Sequence, residues 1–206
     1  MDIDSPAAAV EQLKEANGEI DESLYSRQLY VLGHEAMKRM GTSNILVVGL
    51  RGLGVEIAKN IALAGVKSLT LYDPKPAEIQ DLSSQFFLHP DDVGKPRAEV
   101  TVPRVSELNP YVPIKLHPSK HLTSDLSQLK DYQVVVLTDT PLKDQLLIAD
   151  YCHDNGIYIV ITDTFGLFGT IFTDFGKNFT CGGSNWRGGT YRYRGRHRCR
   201  RHGISA

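Results

Sequence analysis

The sequence predicts an α/β fold: a Rossmann-like, doubly wound and mostly parallel sheet, incomplete at its C-terminal end. Three observations carry this. Short apolar runs, with Ile45–Val48 the clearest, fit parallel strands covered on both faces. These runs alternate with stretches of helical periodicity. A glycine-rich turn, Gly49–Gly54, follows the first run, and a helix then leads to a second strand ending on an acid.

Residues 1–18 are polar, small and poor in aromatics, and read as a disordered tail. From Ile20 the pattern turns helical, with Leu24, Tyr25, Leu29, Leu32, Ala36, Met37 and Met40 at three- and four-residue steps. Gly33 is expected to split this stretch into two short helices, and Gly41 to end the second. Ile45–Val48 is the first strand. Val55, Ile57, Ala58, Ile61, Ala62 and Leu63 mark the helix after the turn, which ends near Gly65. Ser68–Tyr72 is the second strand. A helix is expected from Pro96 to Leu108, stopped before Asn109-Pro110. Val112–Leu116 and Gln133–Leu137 read as strands three and four. Leu142–His153 reads as a helix ending at Asn155-Gly156, and Ile157–Thr162 as strand five. Leu167–Phe175 is a sixth strand after a turn at Gly166, and its apolar side chains are expected to be poorly covered.

The chain has 206 residues, 41% hydrophobic and 23% charged, the composition of an ordinary globular domain with tails. No apolar run is long enough to span a membrane, and the acidic start lacks the apolar core of a secretion signal. Three cysteines make no disulfide framework, so a reducing compartment, cytoplasmic and nuclear, is expected. Cys152 reads as a small buried apolar residue.

The charge is uneven. Residues 181–206 carry seven arginines, six glycines and no acid, whereas residues 1–180 carry 16 Lys and Arg against 24 Asp and Glu. Arginines among aromatics raise an RNA-binding tail, and His197, Cys199 and His202 raise a metal site. The metal spacing matches no standard finger. Back-translated and read in a shifted frame, the start of this tail gives V-V-D-P-T-G-E, which suits the preceding FGKNFT far better. The tail is therefore read as a disordered segment or reading-frame artefact, nucleic acid is not an expected partner, and no metal ligand set is assigned.

The turn G-L-R-G-L-G places glycines at 49, 52 and 54, and Asp73 ends the next strand. Glycine permits a tight turn and close approach to a phosphate, and the helix N-terminus favours an anion. An acid at Asp73 can accept from ribose hydroxyls. The same glycines equally permit close helix–sheet packing. A nicotinamide dehydrogenase would need proton-transfer groups, but His89, His117, His121 and His153 form no recognisable constellation.

Several longer stretches occur in a familiar order: YSRQLYVLG (25–33), the glycine turn, QDLSSQFFLHPDDVGKPRAEV (80–100), ELNPYV (107–112), VVVLTD (134–139) and GLFG (166–169). Over residues 19–180 the chain closely resembles the N-terminal part of ubiquitin-activating enzymes, whose fold is the ThiF-type adenylation domain. The resemblance implies ATP and Mg²⁺ as cofactors of the complete enzyme, ubiquitin or a ubiquitin-like protein as its substrate, and an active adenylation half as partner, in cis or in trans. It also implies a piece of a longer enzyme, without the active half or the thioester-forming cysteine domain.

Active members resemble D-x-D…N-L-N-R-Q-F…G-K-x-K. Here Asp73 matches the first acid, but Lys75 stands at the second. Asp81-Leu82-Ser83-Ser84-Gln85-Phe86 replaces the central motif, and Arg97 replaces the last lysine. Asp139 matches a metal-binding acid, with Thr140 where an asparagine is usual. Asp81 is expected to set a negative charge against the phosphates. Losing one donor to transition-state charge costs about 10²–10³ in rate, so this half is expected to be inactive. Gly49, Gly52, Gly54, Asp73, Arg97 and Asp139 are then vestigial nucleotide-binding positions. Arg27 matches an arginine that reaches the ATP phosphates of the active half, and its guanidinium suits that task. The resemblance leaves a second expectation open: a free-standing scaffold subunit of a SUMO-type activating heterodimer.

Overall fold

A computed structural model describes residues 22–119, 121–177, 179–181 and 191–193. The N-terminal tail, and the C-terminal tail apart from Cys181 and Tyr191–Tyr193, lie outside them. Four helices are described, α1 (Glu22–Gly41), α2 (Gly52–Ala64), α3 (Arg97–Ser106) and α4 (Leu142–Asn155). The main sheet contains β1 (Asn44–Val48), β2 (Ser68–Tyr72), β3 (Ile114–Leu116), β4 (Val134–Leu137), β5 (Tyr158–Phe165) and β6 (Phe168–Asp174). Its order is β3-β2-β1-β4-β5-β6, parallel except for the antiparallel β5–β6 hairpin. A short ribbon pairs β7 (Phe179–Cys181) with β8 (Tyr191–Tyr193).

The apolar strands are explained by two cores, one on each face. Val47 and Val136 point to the side packed by α2 and α3, where Leu50, Val55, Leu71 and Ala98 join them. Their neighbours Leu46, Val48, Val135 and Leu137 point to the other side, against Ile148 and Cys152 of α4. Successive strand residues face opposite ways, so a strand covered on both sides has no polar position to spare.

Glycines end the helices as expected. Gly65 (φ +79°) closes α2, and Gly156 (φ +71°) closes α4 by donating its N–H to the carbonyls of Cys152 and His153. Gly33, at φ +79° and ψ +162°, breaks α1 into two pieces. Most strand boundaries fall within one residue of expectation, and two differ by more. β3 begins at Ile114, because Val112 is drawn into a turn where its N–H donates to the Asn109 carbonyl. β5 runs on to Phe165, since the hairpin with β6 extends its pairing to Phe165↔Phe168. Among the described residues, no helix is long and apolar enough to cross a membrane.

Candidate functional site

The chain connections reverse direction between β1 and β4, and a cleft of about 210 Å³ opens beyond the C-terminal ends of these strands. Its lining includes Val48, Gly49, Asp73, Lys75, Arg97, Thr138 and Asp139. Open α/β sheets bind ligands at such reversals. Pockets that enclose a small molecule usually measure about 300–1,000 Å³, so this cleft is small for a nucleotide.

The three glycines meet protein atoms. Gly49 (φ +85°) lies under Thr138, whose hydroxyl donates to the carbonyls of Val48 (3.1 Å) and Gly49 (3.0 Å). A Cβ on Gly54 would stand 1.9 Å from the Gly49 carbonyl oxygen. A Cβ on Gly52 would stand 2.8 Å from the Ser84 side chain. The turn is tight because strand, helix and crossover segment all press on it.

Asp73 is buried and engaged. Its Oδ2 accepts from the Leu50 N–H (2.9 Å) and its Oδ1 from the Lys75 N–H (3.0 Å), while Arg97 Nη1 lies 3.2 Å from Oδ2. Arg97 is 2% exposed. Its Nη2 donates to the Pro76 carbonyl (3.3 Å). Its Nε lies 3.2 Å from Asp81 Oδ2, yet the N–H is not aimed there, so this contact is an ion pair without a hydrogen bond. Asp81 in turn accepts from Arg51 Nε (3.0 Å) and from the Glu78 N–H (2.9 Å). Burial pushes the Asp81 carboxyl up, but the Glu78 N–H, the Arg51 hydrogen bond and the Arg97 charge together hold it below the usual range.

This revises one expectation. Asp81 does not confront a ligand across the cleft: it is 2% exposed, turned into the protein and compensated by two guanidiniums. The short 3₁₀ turn Ile79–Ser83, capped by the Asp81 and Glu78 side chains, is what turns it inward.

Asp139 stands at the rim with φ +49°, the one described non-glycine residue with positive φ. Its N–H donates to Asp163 Oδ1 (2.7 Å). Burial pushes its carboxyl above the usual range and the Asp163 charge adds to this, while Arg51, Lys75 and Arg97 offset it only in part. Among the described residues, no group of three or more His, Cys, Asp or Glu is placed to hold a metal ion.

Arg27 lies away from this cleft. Its neighbours in Tyr25-Ser26-Arg27-Gln28 fasten the first part of α1 to the end of α2: Gln28 Nε2 donates to the Ala64 carbonyl (3.1 Å), and Asn109 Nδ2 bridges the Tyr25 hydroxyl (3.3 Å) and the Ala62 carbonyl (2.8 Å). Positions 25 and 28 share a helix face, which leaves Arg27 exposed, with no hydrogen bond or ion pair to the described residues. Tyr30 and Val31 are exposed beyond it.

The ThiF family matches residues 25–204. The chain belongs to the ThiF family. It is 58% identical to ubiquitin-activating enzyme E1 1 of Schizosaccharomyces pombe over 164 residues, 79% of this chain and 16% of that protein. It is also 58% identical to human ubiquitin-like modifier-activating enzyme 1 over 170 residues, 82% of this chain and 16% of that protein. The chain thus spans about one sixth of the length of these relatives. Among solved structures, the E. coli tRNA N6-threonylcarbamoyladenosine dehydratase TcdA matches with a TM-score of 0.61 at 22% identity, over 68% of this chain and 59% of that one. A second TcdA structure is a complex with AMP. At that identity the likeness establishes a shared fold.

Against the ThiF pattern, the structure brings Gly49, Asp73, Arg97 and Asp139 to one cleft. It leaves Gly52 beneath Ser84 and Arg27 on a separate surface. The residues present do not fit a nucleoside triphosphate. Asp73 has both oxygens committed to the protein, Arg97 is neutralised by two carboxylates, and the glycine that would approach a phosphate is covered. Two contributors escaped the sequence reading. Thr138 carried no more signal than its place after a strand. Arg51 sits inside the glycine turn and passed as a spacer, because its partner Asp81 lies 30 residues away and meets it only after folding.

Proposed function

We propose that the chain is a non-catalytic adenylation-fold half of a ubiquitin-activating enzyme. It supports ATP-dependent activation of ubiquitin by pairing with an active half, to whose ATP site it contributes Arg27. One observation carries this reading: Arg97, beside the glycine turn, is consumed by two buried carboxylates, whereas Arg27 is held outward with no partner among the described residues. The identity of 58% to ubiquitin-activating enzyme E1 1 of Schizosaccharomyces pombe favours ubiquitin over a SUMO-type modifier. ATP and Mg²⁺ are assigned to the active half.

The test is ubiquitin-dependent pyrophosphate exchange. The purified chain should show none above background. Within a complete enzyme, Arg27→Ala should slow exchange about tenfold or more, because a charge-assisted contact to phosphate is worth about 1.5–3 kcal/mol. Its thermal midpoint should stay unchanged, because the exposed Arg27 side chain makes no hydrogen bond or ion pair to the described residues. Exchange by the isolated chain would overturn the non-catalytic reading, and an undiminished rate in Arg27→Ala would remove the arginine from the proposal.

A further inference from the structure

We propose that Arg97 is a built-in cation that occupies the ligand's place in this cleft. It locks the glycine turn to the crossover segment and excludes polyphosphates. The inference rests on the non-catalytic reading above and gives that site its ligand specificity. Three features support it.

The guanidinium has no outward task. It is 2% exposed and sits within 3.2 Å of both Asp73 and Asp81, and its remaining terminal nitrogen donates to the Pro76 carbonyl. A carboxylate buried without a partner is costly, so Asp73 requires this cation, and Asp81 shares it with Arg51.

The acids in turn hold the backbone. Asp73 fixes the Leu50 N–H in the glycine turn and the Lys75 N–H at the start of the crossover, and Asp81 fixes the Glu78 N–H. One guanidinium therefore ties together segments that a bound nucleotide would otherwise bridge.

The charge count then decides which ligands are refused. Arg97 and Arg51 cancel Asp73 and Asp81. What remains around the cleft is Lys75 against Asp139 and Asp144. A polyphosphate meets no surplus positive charge, and Ser84 covers the glycine it would need to approach.

The experiment compares melting midpoints of the 206-residue chain. Arg97→Ala should lower the midpoint by roughly 10 °C, as expected for breaking a buried ion pair from one side. In an Asp73→Asn/Asp81→Asn background the same substitution should cost less than half as much, since neutral amides need no counter-cation. Methylguanidinium at about 10 mM, against matched NaCl, should raise the Arg97→Ala midpoint and leave the unsubstituted chain unchanged. Inorganic tripolyphosphate and Mg-ATP should not raise the midpoint of the unsubstituted chain. An equal loss in both backgrounds would reduce Arg97 to a packing residue and overturn the proposal. So would stabilisation of the unsubstituted chain by tripolyphosphate. Should Arg97→Ala fail to fold, Asp73→Asn/Asp81→Asn/Arg97→Met decides: a folded variant supports the lock and an unfolded one overturns it. Failure of the non-catalytic reading would appear separately, as pyrophosphate exchange by the unsubstituted chain.

Discussion

A methyl group on Gly54 would stand 1.9 Å from the Gly49 carbonyl oxygen, and no side-chain rotation can relieve a clash with backbone. Gly94 offers the contrast. Its φ of +89° disfavours other residues, yet nothing lies within 4 Å of an added Cβ. Gly54→Ala should therefore destabilise the domain by about 3 kcal/mol, at or above the usual range for overpacking. Gly94→Ala should cost about 1 kcal/mol, the strain of left-handed backbone alone. Urea unfolding of both variants checks this, and equal losses would mean that the glycine turn is not tightly packed. The spacing G-L-R-G-L-G showed that a tight turn follows a strand, but not whether the space above it was open or filled. That depended on Ser84, Thr138 and Arg97, which lie 30 or more residues away and meet the turn only after folding. Charge pairing is equally invisible in sequence. Asp81 reads as an acid among the phosphate positions and proves to be the inward partner of Arg51 and Arg97.

Elements whose signal was local agreed well with expectation. The break at Gly33, the ends of α2 and α4 at glycines, and strand six after Gly166 all follow from backbone chemistry within a few residues. β3 shortened because a tertiary turn at Asn109 competed for its first residues. The poor cover foreseen for strand six is also present: Phe165, Leu167, Phe168, Ile171 and Phe172 are exposed, and β6 forms one edge of the described sheet. Open apolar edges promote association. The chain should therefore self-associate with rising concentration in analytical ultracentrifugation. Leu167→Lys with Ile171→Lys should shift it toward monomer. Because both side chains are largely solvent-exposed, unfolding stability should change by no more than about 0.5 kcal/mol. Unchanged association would place the contact elsewhere, for example on Tyr30 and Val31.

Two buried groups on opposite sides of the sheet contribute to the acid response of the whole domain. His117 follows β3, stacked edge-on against Tyr72 and tilted against Tyr132, with its Nδ1 accepting the Ser119 N–H. Burial lowers its pKa, so it is held neutral. The folded state then binds fewer protons there than the unfolded chain does. Stability is complete above the unfolded value of about 6.5 and falls as pH drops toward the lower native value. Asp92 acts further down. Arg104 Nη1 donates to it at 2.6 Å and the His89 N–H at 2.9 Å, which holds its carboxyl at about 2. Its contribution is complete above the unfolded value of about 3.9 and is lost as pH falls through about 2. Both slopes have the same sign, so each of these two groups makes stability rise with pH, and the His117 contribution levels off near neutrality. Urea midpoints measured from about pH 2 to 8 should show the upper step as pH falls below about 6.5. His117→Gln should flatten that step and leave the acid one intact, while Asp92→Asn should do the reverse. If His117→Gln keeps the full upper slope, the proton is taken up elsewhere, and the packing of Tyr72 and Tyr132 around a neutral imidazole is not what sets the domain's behaviour in mild acid.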